Sequence, residues 1–250
     1  MTTSPAAWAG ADPYATALRA GRGPLFLRRT DGWLLPLDVE RWCAHADPVD
    51  LDVLDRCEGA VLDVGCGPGR LVAALAARGR TGLGIDVSET AVHSAVGLGG
   101  EALRRSVFDP LPGEGLWGTV LLMDGSIGIG GDPRVLLDRV AALLCPGGLL
   151  IAETAAVDID ERVEVQVVDV FDSPGSDGTF PWARLGTPAL LRLARPKRWT
   201  SVGQWISGGR CFAALRSRRA SSSAEPAKST AVISSHRVRK PSGDSPVPIR

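Results

Sequence analysis

The sequence predicts an α/β fold in which a mostly parallel sheet carries helices on both faces. Short runs rich in β-branched and apolar residues alternate along the chain with segments of helical apolar periodicity. The 30 glycines and 18 prolines follow no fixed period, which favours many turns over a fibrous repeat. Because parallel strands need crossover helices, this alternation favours a sheet that is buried on both sides.

Each predicted element follows from these patterns. The predicted strands are 60–64, 81–87, 103–108, 117–123, 148–153, 163–171 and 210–215, and the predicted helices between them are 70–78, 89–96, 133–144 and 188–195. Helix 133–144 has clear ends, since Asp132 can cap it, Pro133 suits its first position and Gly147 follows it. Residues 37–46 and 51–57 also have helical patterns, and Trp33 and Trp42 are candidates to line a pocket.

The composition divides the chain into three predicted parts. Residues 1–58 are expected to form an N-terminal helical cap or substrate lid, and residues 59–216 the main domain. Residues 217–250 contain nine serines, four prolines, seven basic and two acidic residues. This net charge of +5 leaves residues 1–216 at −5, because the whole chain sums to zero. We expect the tail to be disordered, either as a dispensable extension or as an anchor for RNA, a membrane or a partner.

Bulk composition also disfavours several classes of protein. The 28 Lys+Arg balance the 28 Asp+Glu, so the chain lacks the basic field of a dedicated nucleic-acid-binding protein. The five cysteines are Cys43, Cys57, Cys66, Cys145 and Cys211. They contain no CxxC pair and no zinc spacing, so we expect neither a metal site nor a disulfide framework. Without a secretory leader or a long apolar stretch, the chain is expected to be cytoplasmic, with no membrane partner.

The sharpest local signal is a glycine-rich turn that follows the first predicted strand. Gly65, Gly67 and Gly69 let the backbone adopt positive φ and let a ligand approach the main chain closely. A dinucleotide motif GxGxxG would need glycine where the chain has Arg70. Asp63 would repel a pyrophosphate but suits the ammonium group of an amino-acid-bearing ligand. This spacing therefore disfavours NAD.

Two further acids end the next two predicted strands. Asp86 is placed to accept hydrogen bonds from a ribose diol, because parallel strands end at the same edge. Asp109 can accept from an adenine amino group, and Phe108 can pack against the adenine ring. An acid after a strand is often only a cap or a turn former. Three of them after successive strands predict an adenosine ligand across this edge.

At this point the chain closely resembles the class I S-adenosylmethionine-dependent methyltransferases. The resemblance covers residues 57–216 and rests on Asp63-x-Gly65-x-Gly67-x-Gly69, Asp86, Phe108-Asp109 and Leu144-Cys145-Pro146-Gly147-Gly148. It implies a Rossmann-like seven-stranded sheet whose last strand, at 210–215, is reversed. It also implies S-adenosylmethionine as cofactor and S-adenosylhomocysteine as product.

The same resemblance implies roles for individual residues. Asp63 would lie beside the methionine ammonium group, the glycine turn beneath the methionine part, Asp86 at the ribose hydroxyls and Asp109 at the adenine. The full predicted cofactor-binding set is Asp63, Gly65, Cys66, Gly67, Gly69, Asp86, Val87, Phe108, Asp109 and Asp124. Cys66 is expected to pack rather than to react.

Catalytic residues are harder to predict, because methyl transfer to a strong nucleophile needs no base. Asp124 and Ser126 follow the fourth strand, where the reactive methyl is expected, and His45 lies in the predicted lid. These three are the acid/base candidates, although Asp124 and Ser126 can equally form a cofactor-contact turn. Segments 153–154 and 180–184 are candidate substrate contacts.

The acceptor is predicted to be a small molecule, such as a metabolic or biosynthetic intermediate. After the fourth strand the chain has neither the Asn/Asp-Pro-Pro-aromatic motif of exocyclic base methylation nor a Pro-Cys nucleophile. RNA or protein methylation is an alternative that the basic tail and the cluster at 195–198 favour. An NAD(P)-dependent oxidoreductase and a non-catalytic binding module are further alternatives.

Overall fold

The structure, a computed structural model, describes residues 13–169, 178–195 and 199–218. The helices are α1 (Pro13–Ala20), α2 (Val39–Cys43), α3 (Pro48–Asp55), α4 (Arg70–Ala77), α5 (Glu89–Gly97), α6 (Pro133–Leu143) and α7 (Thr187–Ala194). The strands are β1 (Leu25–Arg29), β2 (Leu34–Leu37), β3 (Val61–Val64), β4 (Gly82–Asp86), β5 (Ala102–Arg104), β6 (Trp117–Leu122), β7 (Leu144–Thr154), β8 (Asp160–Asp169), β9 (Phe180–Leu185), β10 (Trp199–Ser207) and β11 (Arg210–Ser217). A 3-10 turn spans Ser126–Gly128.

Seven strands form the main sheet, in the order β10-β11-β7-β6-β3-β4-β5. The strands from β7 to β5 pair in parallel, whereas β11 runs antiparallel to both of its neighbours. The predicted mostly parallel sheet with a reversed last strand is therefore confirmed. The strand order changes direction between β3 and β6, and the carboxyl edge at such a switch point is where α/β sheets bind ligands.

Alternate side chains of the main sheet enter two hydrophobic cores. On β3, Leu62 and Val64 pack into the core that holds α6 and α7. Val61 points the other way and packs with residues of α3 and α4. All three side chains are at most 1 % exposed, so this short strand is buried on both sides. The predicted helices on both faces are confirmed.

Local signals set the ends of several helices. Asp132 caps α6 by accepting a hydrogen bond from the Arg134 N–H at 2.8 Å, and Pro133 occupies the first turn as predicted. Asp47 and Asp50 form a reciprocal capping box at the start of α3. Because the Asp50 side chain is tied to this turn, its carboxylate has a defined position in the interior.

A second, four-stranded antiparallel sheet in the order β2-β1-β8-β9 corrects two predictions. The strand predicted at 163–171 is β8, which pairs with β1 and β9 and not with the main sheet; Phe171 lies outside the described residues. The seventh strand of the main sheet is instead β10, which sequence analysis missed. Most of its side chains are exposed, as expected of an edge strand with a weak apolar pattern.

The described part of the N-terminal segment contains two strands in addition to the helices that its sequence predicts. β1 and β2 lie between α1 and α2, and β1 pairs with β8 over the full register from Leu25↔Asp169 to Arg29↔Val165. A third core of α1, β1 and β8 residues supports this sheet. The lid role of residues 1–58 and the boundaries of the domains stay predictions.

The C-terminal limit of the described chain falls just inside the predicted tail. Ser217 is the last residue of β11, and residues 219–250 lie outside the described residues. In the ranges that the structure describes, no helix has the length and apolar character needed to cross a bilayer.

Candidate active site

The glycine turn connects β3 to α4 at the carboxyl edge of the main sheet. Gly65, Gly67 and Gly69 have φ of +71°, +54° and +94°, all in the left-handed region. A Cβ at Gly65 would lie 2.8 Å from Ser126 Oγ, and one at Gly69 would overlap Ala95. The turn therefore requires glycine for its own packing as well as for access to its backbone.

Asp86 ends β4 and is tied to this turn. Its Oδ2 accepts from the Gly67 N–H at 3.0 Å, and its Oδ1 accepts from the Ser88 N–H at 2.8 Å. Burial raises the pKa of the carboxyl to about 6, and these backbone hydrogen bonds limit the rise. The Val87 N–H is a third backbone partner of this carboxylate. A carboxylate has about four acceptor positions, so about one remains for a ligand.

A cavity of about 190 Å³, the first cavity, opens over the glycine turn. Its walls include predicted residues that end or follow four strands, β3, β4, β5 and β6: Gly65, Cys66, Gly67, Asp86, Val87, Phe108, Asp124 and Ser126. Tyr14 of α1 and Trp42 of α2 complete the wall from the N-terminal segment. The structure thus brings together most of the residues that the sequence predicts.

Three of the predicted residues do not line this cavity. Gly69 lies behind the turn, against Ala95. Asp109 is exposed, and its Oδ2 accepts from the Ser106 N–H at 3.2 Å, which closes a local turn. Asp63 is 2 % exposed and lies behind the wall, where burial raises the pKa of its carboxyl to about 7 despite the charge of Arg70.

An ion-pair network behind the first cavity was missed by sequence analysis. Arg70 donates to both oxygens of Asp50, at 2.8 and 3.1 Å, and its Nη2 lies 2.7 Å from Asp124 Oδ2. Arg210 joins Asp50 to Glu153, at 2.8 and 2.7 Å. Burial raises the pKa of Asp50, but hydrogen bonds from the two arginines outweigh burial and lower it to about 2. Arg70 was visible in the sequence only as the residue that breaks a dinucleotide motif.

Asp124, one of the acid/base candidates, lies at the centre of this site. It is the one described non-glycine residue with positive φ, at 54°, which is a sparsely populated conformation. Its two oxygens pair with Arg41 at 2.6 Å and with Arg70 at 2.7 Å. Its N–H donates to Glu153 Oε2 at 3.0 Å. Both oxygens of the carboxylate are therefore paired with arginines, which fix its position at the site.

The other two acid/base candidates lie in different environments. Ser126 is buried in the 3-10 turn and lines the first cavity beside Gly65. His45 is exposed in the connection between α2 and α3 and lines neither of the two cavities at the site. The structure therefore does not bring His45 to the predicted reaction centre.

A second cavity, of about 230 Å³, adjoins the first. Both cavities are lined by Leu27, Leu37, Trp42, Asp124 and Trp182. The predicted contacts Glu153, Thr154, Ala183 and Arg184 line only the second. Trp33 lines neither, and its ring lies instead beneath the guanidinium groups of Arg29 and Arg184.

The glycine-rich segment 125–131, which follows Asp124, packs against β9 at this site. A Cβ at Gly128 would overlap the Ala183 carbonyl oxygen and lie 2.7 Å from the Trp182 ring. Ile129 and Trp182 form an isolated antiparallel bridge. Glycine here permits the second sheet to approach the carboxyl edge of the main sheet, so the run packs against β9.

Comparisons with known proteins agree with this fold. A family model described as a methyltransferase domain matches residues 42–201. A solved S-adenosylmethionine-dependent methyltransferase from Bacteroides fragilis, in complex with S-adenosylhomocysteine, superposes with a TM-score of 0.69 at 19% identity, covering 87% of this chain and 98% of that one. Among curated proteins, nothing matches the chain significantly.

Two further solved structures have the same fold. The Burkholderia thailandensis 1,6-didemethyltoxoflavin-N1-methyltransferase has a TM-score of 0.50 at 19% identity, with 68% and 75% of the two chains covered. The glycopeptide N-methyltransferase MtfA has a TM-score of 0.53 at 16% identity, with 70% and 90% covered. The family match spans more than half of the sequence and agrees with the predicted resemblance. This chain belongs to the methyltransferase domain family and has the fold of the class I S-adenosylmethionine-dependent enzymes.

Proposed function

We propose that this methyltransferase binds S-adenosylmethionine in the first cavity and methylates a small molecule held in the second. The observation that carries this proposal is the meeting of the two cavities at Asp124, at the switch point of the main sheet. A cofactor and an acceptor that occupy adjoining cavities can bring methyl donor and nucleophile into line.

The residues of the first cavity fit this cofactor. The glycine turn leaves room for a ligand against the backbone, and Asp86 lines the cavity with an acceptor position left for a ribose hydroxyl. Val87, Val107 and Phe108 supply an apolar wall for the adenine ring. When bound, S-adenosylmethionine supplies an electrophilic methyl group on a positively charged sulfur.

The chain itself contributes binding, orientation and exclusion of water. Asp124 lines both cavities and Arg70 lines the first, and each side chain is held in position by two or more partners. Trp42 and Trp182 cover the junction from α2 and β9 and limit access of water. No proton acceptor is required of the protein if the acceptor atom is nucleophilic at neutral pH.

Three observations support a small acceptor over RNA or a protein. The second cavity is of small-molecule size and has several apolar walls. Residues 1–216 carry a net charge of −5, which disfavours a phosphate backbone. The enzymes of similar fold include one crystallised with bound 1,6-didemethyltoxoflavin and one named for glycopeptide methylation.

Thermal unfolding with and without ligand tests the cofactor directly. S-adenosylhomocysteine at about 100 times its dissociation constant should stabilise the full chain by about 2.7 kcal/mol, whereas NAD and NADP should not stabilise it. Stabilisation by NAD alone would favour the oxidoreductase alternative. The proposal would be overturned if S-adenosylhomocysteine did not stabilise the chain in thermal unfolding and did not bind to it in calorimetric titration.

A further inference from the structure

The hydroxyl group of Tyr14, in the first turn of α1, lies over the glycine turn of the first cavity. A Cβ added at Gly67 would lie 3.6 Å from Tyr14 Oη. Both residues line the first cavity. The hydroxyl therefore borders the stretch of bare backbone against which a ligand in this cavity would lie.

Packing fixes the position of this hydroxyl. Tyr14 is 6 % exposed and belongs to the third core, together with Leu18 and Leu25. Its ring meets the ring of Trp42 edge to face, with 6.3 Å between the ring centroids and 67° between the planes. Because the phenol is already held in place, a hydrogen bond from it to a ligand costs little additional side-chain freedom.

The order of the strands sets the direction in which the cofactor lies. In the proposed function the adenine lies beside Val107 and Phe108, which follow β5, and the ribose lies beside Asp86, which ends β4. The next strand of the sheet is β3. The adenine and the methionine part leave the ribose ring at opposite ends, so the methionine part extends over the turn that follows β3. The Tyr14 hydroxyl lies at this turn, next to Gly67.

The charges along the first cavity decide which group of the methionine part faces Tyr14. Among the described residues, the acids that line this cavity are Asp86 and Asp124, both at the carboxyl edge of the main sheet. They attract the ammonium group and repel the carboxylate, so the carboxylate is turned towards α1. Of the two arginines in the wall, Arg70 is already paired with two aspartates, and Arg105 follows β5 at the adenine end. A hydroxyl group is a strong donor to a carboxylate.

We infer, on the basis of the proposed function, that Tyr14 is a further cofactor-binding residue whose hydroxyl donates a hydrogen bond to the carboxylate of the methionine part. The helix α1 then contributes to the cofactor site from the side opposite the sheet edge. The contact is confined to the amino-acid end of the cofactor, so it adds nothing to binding of the adenosine end at Asp86 and Phe108.

Two ligands separate the two ends of the cofactor. S-adenosylhomocysteine has both ends, whereas 5′-methylthioadenosine keeps the adenosine and the thioether but lacks the amino-acid end. Isothermal titration calorimetry measures both dissociation constants on the full chain, in wild type, Tyr14→Phe and Thr16→Val. Thr16→Val is the matched control, because it removes a hydroxyl from the same helix at an exposed residue that lines neither cavity.

Tyr14→Phe should weaken binding of S-adenosylhomocysteine at least about tenfold, the loss expected for one hydrogen bond to a charged group. Its affinity for 5′-methylthioadenosine should stay within about twofold of wild type, because the adenosine end does not reach the hydroxyl. Retained binding of this second ligand also shows that the variant has an intact site. Thr16→Val should leave both affinities within about twofold of wild type.

A fluorine label gives a second measurement at the residue itself. The chain contains one tyrosine, so incorporation of 3-fluorotyrosine produces a single ¹⁹F resonance, from position 14. Saturation with S-adenosylhomocysteine should shift this resonance more than saturation with 5′-methylthioadenosine does, because only the first ligand brings a carboxylate to the phenol.

Three results would overturn the inference while leaving binding of S-adenosylhomocysteine to wild type intact. One is an affinity of Tyr14→Phe for this ligand within about twofold of wild type. Another is an equal loss of affinity for both ligands, which would indicate a contact with the adenosine end or a structural role. The third is an equal shift of the ¹⁹F resonance with both ligands. Failure of the proposed function is seen separately, as absence of S-adenosylhomocysteine binding to the wild type.

Discussion

Two aspartates that look equivalent in the sequence have different environments at the site. Asp86 lies at the end of one predicted strand and Asp109 directly follows another, and both suit an adenosine ligand by position. Asp86 is 9 % exposed, lines the first cavity and accepts from Gly67 of the ligand-binding turn. Asp109 is exposed, and its carboxylate accepts a hydrogen bond from the Ser106 N–H within its own turn. Burial and hydrogen-bond partners, which depend on contacts across strands, separate the two.

This difference predicts the outcome of a matched pair of substitutions. Asp86→Asn should weaken binding of S-adenosylhomocysteine at least about tenfold at pH 8, because a charged acceptor is worth about 1.5–3 kcal/mol per hydrogen bond. Asp109→Asn should change the affinity less than about twofold. Isothermal titration calorimetry measures both. Equal losses in the two variants would show that Asp109 reaches the adenine after all.

At the level of elements, the buried ion pairs join α3, α4, β7 and β11 behind the first cavity. Asp50 of α3 is fully buried and accepts from Arg70 at the start of α4 and from Arg210 at the start of β11. Glu153 of β7 accepts hydrogen bonds from Nε and Nη2 of the same Arg210 side chain. The network links the reversed last strand to the helix that follows the glycine turn, so it holds the wall of the site in place.

Removing one member of this network should be costly. Arg210→Met leaves Asp50 and Glu153 short of a partner in the interior and should lower the free energy of unfolding by about 3–5 kcal/mol. Arg216→Met is the matched control on the same strand, because Arg216 pairs with the exposed Glu58. Its cost should be below about 1 kcal/mol. Urea unfolding of the two variants compares them, and similar costs would argue against a structural role for the buried network.

For the whole molecule, the acidic interior couples stability to pH. Burial raises the pKa of Asp63 to about 7 and that of Asp86 to about 6, both above the value of about 3.9 for an unfolded aspartate. An acid with a raised folded pKa stabilises the fold fully below its unfolded pKa, and this contribution is lost as the pH rises through the folded value. These two carboxyl groups therefore oppose folding at neutral pH.

This loss of stability should appear in the difference in the free energy of unfolding between wild type and Asp63→Asn. As the pH rises from 5 to 7, the variant should gain stability relative to wild type by up to about 1.4 kcal/mol per pH unit, since the amide has no proton to lose. Asp86→Asn should show the same trend but level off about one pH unit lower. Urea unfolding across this range measures both, and a difference that does not change with pH would contradict a protonated Asp63.

The reversed last strand followed from the resemblance to the methyltransferase family, whereas the sequence pattern alone was sufficient for the sheet type, the glycine turn and the strand-end position of Asp86. Each of these depends on residues close together in the chain: a strand of four residues, a turn of five, an acid at a strand end. It also indicated Ser126 and the segments at 153–154 and 180–184, which line the two cavities.

Only the tertiary structure decided how distant segments combine around the site. Asp50 and Arg210 are hydrogen-bonded across 160 residues, and no local pattern marks such a pair. β1 and β8 of the second sheet are separated in the sequence by five strands of the main sheet, so their pairing does not follow from periodicity. The physical reason is that burial and partner choice are long-range properties, whereas strand, turn and cap preferences act over a few neighbouring residues.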